Sequence, residues 1–312
     1  MAEETIRSHA KINLSLDVTG KREDGYHTVE TVMQKISLFD EVTVRWQPAA
    51  RGEKQAPGGI RINLSSNKPF LPRDERNIAY KAALLMSENF AGQVGSGRVS
   101  IHLHKRIPVS AGLAGGSGNG VAVLTALNRL WHTGLSTRAL CRLGSDLGAD
   151  VPFCILTQNS QYGCALGSGT GADLTVIKSR FRRALVLVKP AFGVSTKEAY
   201  EGIDSRPAAI RPDTGALTEA LRRGNRKQIY EQMVNVLENY TLAAYPQVQE
   251  IKDKLARETQ AEKVLMTGSG PTVFAFYADT EKARAACALM RSAGLELYSP
   301  GNKLMEETDD KF

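Results

Sequence analysis

From Ala10 to Val18 apolar and polar residues alternate. Ile12, Leu14, Leu16 and Val18 share one face and Lys11, Asn13, Ser15 and Asp17 the other, the period of a β-strand. A turn at Lys21-Arg22-Glu23-Asp24-Gly25 leads into a second extended stretch over residues 29–38. Residues 48–59, rich in Gly, Pro and Ala, predict a long hairpin loop. Asn77 is placed to cap a helix carrying Ile78, Ala82, Leu85 and Met86. Residues 99–103 predict a strand, with His102 and His104 on its wet face. A glycine-rich loop then feeds a helix with Val123, Leu124, Leu127, Leu130 and Trp131 on one stripe. Another helix is expected over 137–147, stopping at Gly148.

Beyond about residue 160 the pattern restarts. It predicts a strand at 184–189, helices over 214–223 and 227–244, and a strand-turn-strand unit over 263–277. Mixed strands and helices in two halves argue for an α+β protein of two subdomains, residues 1–160 and 161–300. An acidic tail, residues 301–312, follows. The length of 312 residues agrees with about two domains.

With 42% hydrophobic and 23% charged residues, wholesale disorder and fibrous classes are excluded. No apolar run approaches the ~20 residues of a membrane span. The run Ala184-Leu185-Val186-Leu187-Val188 is only a strand's worth. The start, MAEETIRSHA, lacks a basic-then-apolar signal layout. Cys141, Cys154, Cys164 and Cys287 have no metal-ligand spacing and read as reduced thiols of a cytoplasmic protein. No metal-ligating cluster emerges from the five histidines. The net charge of +7 is concentrated in residues 178–227, with 12 basic and 5 acidic residues. Such a window suits an anionic small molecule or a nucleic acid, or is simply a solvated basic face.

The strongest chemical signal runs from Pro108 to Gly120, PVSAGLAGGSGNG, between a strand and an amphipathic helix. Glycines let backbone N–H groups converge on an anion, and a helix N-terminus adds about half a positive charge. Ser117 adds a hydroxyl donor. This describes a phosphate cradle. It is not a Walker A loop, because no Gly-Lys-Ser/Thr closes it. A second glycine turn, Thr267-Gly268-Ser269-Gly270-Pro271, is either a plain tight turn or a second wall for the same anion. Asp150, in Gly148-Ala149-Asp150-Val151-Pro152, could accept a proton from a substrate hydroxyl, and Lys11 could keep it ionised if the two meet.

The segments Ala10-Lys11-Ile12-Asn13-Leu14, Asp24-Gly25-Tyr26-His27, Ile107 to Ser117, Gly148 to Pro152 and Thr267 to Pro271 resemble the GHMP kinase superfamily. Within it they are most similar to the branch that phosphorylates a cytidine diphosphate ester of methylerythritol in isoprenoid biosynthesis. The resemblance runs from about residue 10 to 277, in the family's order. It implies a GHMP fold of two subdomains with the active site in the cleft between them. It implies ATP wrapped by Ala111, Gly112, Leu113, Ala114, Gly115, Gly116, Ser117, Gly118 and Asn119, with Mg²⁺ expected. Asp150 would be the proton acceptor and Lys11 its support. Asn13 would touch the methylerythritol, while Tyr26, His27, Lys105 and Tyr200 hold the cytosine. Gly268, Ser269 and Gly270 form the second glycine turn. The implied partner is a small molecule, with neither membrane nor nucleic acid, and the protein is a monomer or a homodimer.

The loop departs from the family's usual Gly-Gly-Gly-Ser-Ser-Asp/Asn-Ala-Ala. Ala114 replaces a glycine, Gly118 the second serine and Gly120 an alanine, while Ser110 and Ala111 stand where glycines are common. Loss of a hydroxyl at Gly118 removes a potential phosphate or Mg²⁺ contact. A glycine at 120 costs up to roughly 1 kcal/mol against alanine in a helix. Two alternatives stay open: a GHMP-type kinase for another small alcohol, against which Asp24-Gly25-Tyr26-His27 and Lys105 argue, and a non-enzymatic binder of anions or nucleic acid.

Overall fold

The computed structural model describes residues 2–50, 59–160, 163–206, 208, 210–292 and 296–298; the expected acidic tail and residues 51–58 lie outside the described residues. The strands are β1 (Ala2–Lys21), β2 (His27–Pro48), β3 (Ile60–Ser66), β4 (Gly97–His104), β5 (Cys164–Ser168), β6 (Asp173–Val176), β7 (Ala184–Lys189), β8 (Lys263–Met266), β9 (Val273–Tyr277) and β10 (Glu296–Tyr298). The helices are α1 (Ile78–Val94), α2 (Gly115–Leu130), α3 (Thr137–Gly144), α4 (Val151–Thr157), α5 (Thr196–Asp204), α6 (Thr214–Arg223), α7 (Arg226–Gln232), α8 (Glu238–Ala244), α9 (Pro246–Glu258) and α10 (Thr280–Ser292).

The chain forms two compact units. Unit 1 is Met1–Ala10, Phe39–Ile107 and Ala114–Gln161; unit 2 is Lys11–Leu38, Pro108–Leu113 and Tyr162–Phe312. Besides a change near residue 160, unit 2 therefore draws in residues 11–38 and 108–113. The long strands β1 and β2 each serve both units, which a single cut along the chain cannot express.

In unit 1, β2 pairs antiparallel with β4, and β3 pairs parallel with β4. Since β4 lies between β2 and β3, their connection is a crossover and not the expected hairpin. Val42, Val44, Leu64, Val99, Ile101, Leu103, Met86, Leu124 and Leu127 are buried, while His102 and His104 are exposed on the outer face of β4. Asn77 caps α1 by accepting from the Ala79 N–H at 3.0 Å. The helix expected over 137–147 ends at Gly144 and tightens into a 3-10 turn, Ser145–Leu147.

In unit 2, β5 pairs with β2 and β6, and a separate antiparallel sheet has the order β10-β7-β9-β8. Its core joins Leu16 and Val18 of β1 to Val186, Val188, Leu237, Val248, Leu255, Val273 and Tyr277. The helix expected over 227–244 splits into α7 and α8. Its middle is drawn off by Leu16, whose backbone donates to the Val234 carbonyl and accepts from the Val236 N–H, both at 2.9 Å. The polar face of β1 is buried as fully as its apolar one: Lys11, Asn13, Ser15 and Asp17 are all at most 8% exposed.

All four cysteines are free. Among the described residues, no helix is long and apolar enough to cross a membrane, and no three acidic, His or Cys side chains cluster as a metal site. Much of the basic window is paired with carboxylates: Arg183 and Arg226 with Glu262, Arg211 with Asp17, and Arg222 and Arg223 with Glu219.

Candidate active site

In unit 2, Lys11 and Asn13 stand side by side on β1, with Lys11 Nζ donating to Asn13 Oδ1 at 2.8 Å. Asn13 is held on every side. Its Nδ2 donates to Thr31 Oγ1 at 2.8 Å, its backbone N–H to Thr267 Oγ1 at 3.0 Å, and Thr267 Oγ1 donates back to Oδ1 at 3.1 Å. Thr267 thereby ties the second glycine turn to the strand. Asn235 anchors the same turn from below, its Nδ2 donating to the carbonyls of Met266 and Gly268 at 2.9 and 2.8 Å. Ser269 Oγ lies 3.3 Å from Thr196 Oγ1, and the Ser269 carbonyl accepts from Thr241.

The two glycine turns meet. Gly112 has φ +70°, and a Cβ there would sit 2.7 Å from the Thr267 carbonyl oxygen and 3.3 Å from that of Gly270. Only glycine satisfies both the left-handed backbone and the close approach. The Lys11 N–H donates to the Leu113 carbonyl at 3.1 Å, so this part of the loop is tied to β1 as well.

In unit 1 the loop enters α2 at Ala114, which has φ 57° and ψ 23° and provides no side-chain cap. Ala114 thus offers the first N–H groups of α2 no side-chain acceptor, which suits an anion at the helix start. A Cβ on Gly148 would lie 3.5 Å from Ser117 Oγ, so the turn carrying Asp150 abuts the loop serine. Asp150 is partly buried at the start of α4. The glycines that depart from the family pattern fill packing demands. A Cβ at 118 would meet Ser8 Oγ at 2.5 Å, and one at 120 would meet Ile78 Cγ2 of α1 at 2.7 Å. Gly120 thus permits close α1–α2 contact, a gain set against its backbone cost.

Beneath this helix start is a closed polar network. Asp40, fully buried, accepts from Lys105 Nζ and, at 2.9 Å, from Asn119 Nδ2 through Oδ2, and from the Arg106 and Ile107 N–H groups through Oδ1 at 2.7 and 2.8 Å. Lys105 also donates to Asn119 Oδ1 at 2.8 Å, and Asn119 to Ser8. Burial pulls the Lys105 ammonium below the ordinary lysine range, with Asp40 pulling the other way. Lys105, expected at the cytosine, here spends its ammonium on Asp40 and Asn119, and it sits under Gly115. Asp40 was legible in principle: it shares a strand face with Val42, Val44 and Trp46, a lone charge on an apolar stripe.

Elsewhere in unit 2, Tyr26 is 70% exposed at the turn after β1. His27 opens β2 and packs against Tyr200 of α5, ring centroids 5.3 Å apart. His27 Nε2 lies 2.7 Å from Asp204 Oδ1, and Lys21 Nζ lies 2.6 Å from Asp204 Oδ2. Asp204, Asn235 and Thr31 carry no sequence signal of their own, because each acts through a partner distant along the chain; Thr267 lies in the second glycine turn, but its bond to Asn13 is equally distant.

Two family models match this chain: GHMP kinases N terminal domain over residues 77–158, and GHMP kinases C terminal over 217–294. A 4-diphosphocytidyl-2-C-methyl-D-erythritol kinase of Alkaliphilus oremlandii is 45% identical over 90% of this chain and 90% of its own. A kinase of the same name from Clostridium acetobutylicum is 42% identical over 89% and 92%. A crystal structure of 4-(cytidine 5'-diphospho)-2C-methyl-D-erythritol kinase aligns with TM-score 0.74 and 31% identity, over 95% of this chain and 98% of that one.

Proposed function

The chain belongs to the 4-diphosphocytidyl-2-C-methyl-D-erythritol kinase family of GHMP kinases, and from that premise we propose that it transfers the γ-phosphoryl group of ATP to the 2-hydroxyl of 4-diphosphocytidyl-2-C-methyl-D-erythritol. The products are the 2-phosphate and ADP, in the non-mevalonate route to isoprenoid precursors. The observation that carries this reading is the start of α2. It is a 16-residue helix whose N-cap residue offers no side-chain bond, entered through a glycine loop, with the turn that bears Asp150 running beside Ser117.

The loop from Ala111 to Asn119 receives the phosphates through its backbone N–H groups and the helix dipole. Asp150 takes the proton as the O–H bond of the 2-hydroxyl breaks. The freed oxygen bonds to the γ-phosphorus, and the bond to the bridging oxygen breaks with its electron pair leaving on ADP. Lys11 adds positive charge for the transferring group, and Asn13 holds Lys11 in place. Such transfers depend on positioning and charge neutralisation more than on covalent chemistry by the protein. Tyr26, His27 and Tyr200 receive the cytosine. Lys105 serves through Asp40 and Asn119 as the anchor of the loop's start.

The Ser117 hydroxyl, and Asp150 on the turn that runs beside it, are the oxygen-bearing side chains that would hold a Mg²⁺ ion bound mainly by phosphates and water. When bound, that ion neutralises phosphate charge.

An ADP-release assay over a substrate panel tests the reading, with the product's new phosphomonoester identified by ³¹P NMR. Turnover of the cytidine diphosphate ester in preference to mevalonate, homoserine or a free sugar is expected. Preferred turnover of one of those alcohols would overturn it, as would ATP-independent RNA binding with no ADP released on any alcohol.

A further inference from the structure

Among the described residues, His27 is gripped through one nitrogen, Nε2. Its Nε2 is 2.7 Å from Asp204 Oδ1, and an ionised carboxylate can only accept, so Nε2 carries the proton. The ring cannot readily swing, because its side chain is 6% exposed and its face packs against Tyr200. In the neutral imidazole, Nδ1, which Asp204 does not engage, is then a lone-pair acceptor.

Asp204 is itself clamped. Lys21 Nζ takes its second oxygen at 2.6 Å, which fixes the rotation of the carboxylate. Hydrogen bonds from Lys21 and from His27 hold its carboxyl below the usual aspartate range, so it stays the acceptor of the pair. Three separate elements converge here: the end of β1 supplies Lys21, the start of β2 His27 and the last residue of α5 Asp204.

Resting on the reading of His27 as a contact to the base, we infer that Asp204, clamped by Lys21, is a positioning residue that holds His27 in its Nε2–H form and so makes the site select cytosine over uracil. An acceptor at Nδ1 meets the exocyclic amino group of cytosine, which donates. The same nitrogen would face the carbonyl of uracil lone pair to lone pair, leaving two buried acceptors unmet. A site built for one hydrogen bond rejects the analogue that cannot make it.

The test combines kinetics with ¹⁵N spectra of the imidazole nitrogens, the His27 signals being assigned with His27→Gln. In the wild type the spectra should show the proton on Nε2, and in Asp204→Ala a mixture of the two tautomers. Asp204→Ala should raise KM for the cytidine ester, and cut the preference over the uridine ester, by roughly tenfold, about the worth of one hydrogen bond. KM for ATP and kcat should stay within about twofold. Asp204→Asn keeps a carbonyl acceptor in place and should hold KM within about threefold of wild type.

Unchanged KM and selectivity in Asp204→Ala would overturn the inference while leaving the kinase reading intact. A parallel collapse of kcat and ATP affinity would also overturn it, by showing a merely structural role. So would Asp204→Asn failing as badly as Asp204→Ala. A wild type that ignores the cytidine ester would instead sink the functional reading itself.

Discussion

Asp40 in unit 1 and Asp204 in unit 2 each gather a lysine and further donors, but in opposite surroundings. Asp40 is 0% exposed and satisfies four donors from the strand end, the loop and α2. Asp204 has a side chain 38% exposed and, among the described residues, bonds Lys21 and His27. A buried carboxylate whose partners are also buried is committed to the fold, since removing it strands a charge. A carboxylate at the surface contributes little to stability, so what it orders is read in binding rather than in folding.

That contrast breaks first at Asp40. Asp40→Ala leaves the Lys105 ammonium buried without its carboxylate and should cost about 3–5 kcal/mol. Chemical denaturation checks it, and a loss under about 1 kcal/mol would place Asp40 in the same class as a surface pair. Next comes the loop. Gly112→Ala puts a Cβ 2.7 Å from the Thr267 carbonyl at φ +70°. It should cost at least about 2 kcal/mol, left-handed strain plus clash, and weaken ATP binding. A variant with wild-type stability and KM for ATP would show that the two glycine turns need not touch. Ala114 lies in left-handed backbone with φ 57°. Ala114→Gly should therefore stabilise the protein by about 1 kcal/mol, read as a rise in Tm; a fall would show that loop entropy outweighs the strain.

The smallest stability effect is expected at the surface. Asp204→Ala should cost less than about 1 kcal/mol at neutral pH. Its carboxyl is held low by Lys21 first and His27 second. A depressed folded pKa means that the contribution is present above the unfolded value near 4 and is lost as pH falls through the folded one. Wild type and Asp204→Ala should therefore differ in stability at pH 6 and converge in acid. A gap that widens as pH falls would contradict the assignment.

The sequence disclosed those elements whose pattern is local. The alternation of β1, the Asn77 cap, the strand β7 and the helix α6 could be read from neighbours a few residues apart. The glycine loop and the Asp150 turn were legible as motifs. What escaped depends on distant partners. The break between α7 and α8 is made by the backbone of Leu16, far earlier in the chain. Lys11 and Asn13 lie on the polar face of β1 and are nevertheless buried, Asn13 being bonded by Thr31 and Thr267 and Lys11 by Asn13. Lys105 was assigned to the cytosine by its motif, whereas its buried partner Asp40 lies 65 residues upstream. Local periodicity reports which face is apolar, not which polar face tertiary structure will cover.

The central claim is phosphoryl transfer with Asp150 as proton acceptor. Its most direct measurement is single-turnover transfer from ATP to 4-diphosphocytidyl-2-C-methyl-D-erythritol by wild type and Asp150→Asn under saturating ligands. The rate constant of the variant should fall by roughly 10²–10⁴-fold, with the Kd of the cytidine ester changed by less than about threefold. A variant that keeps more than about a tenth of the wild-type rate would contradict the account.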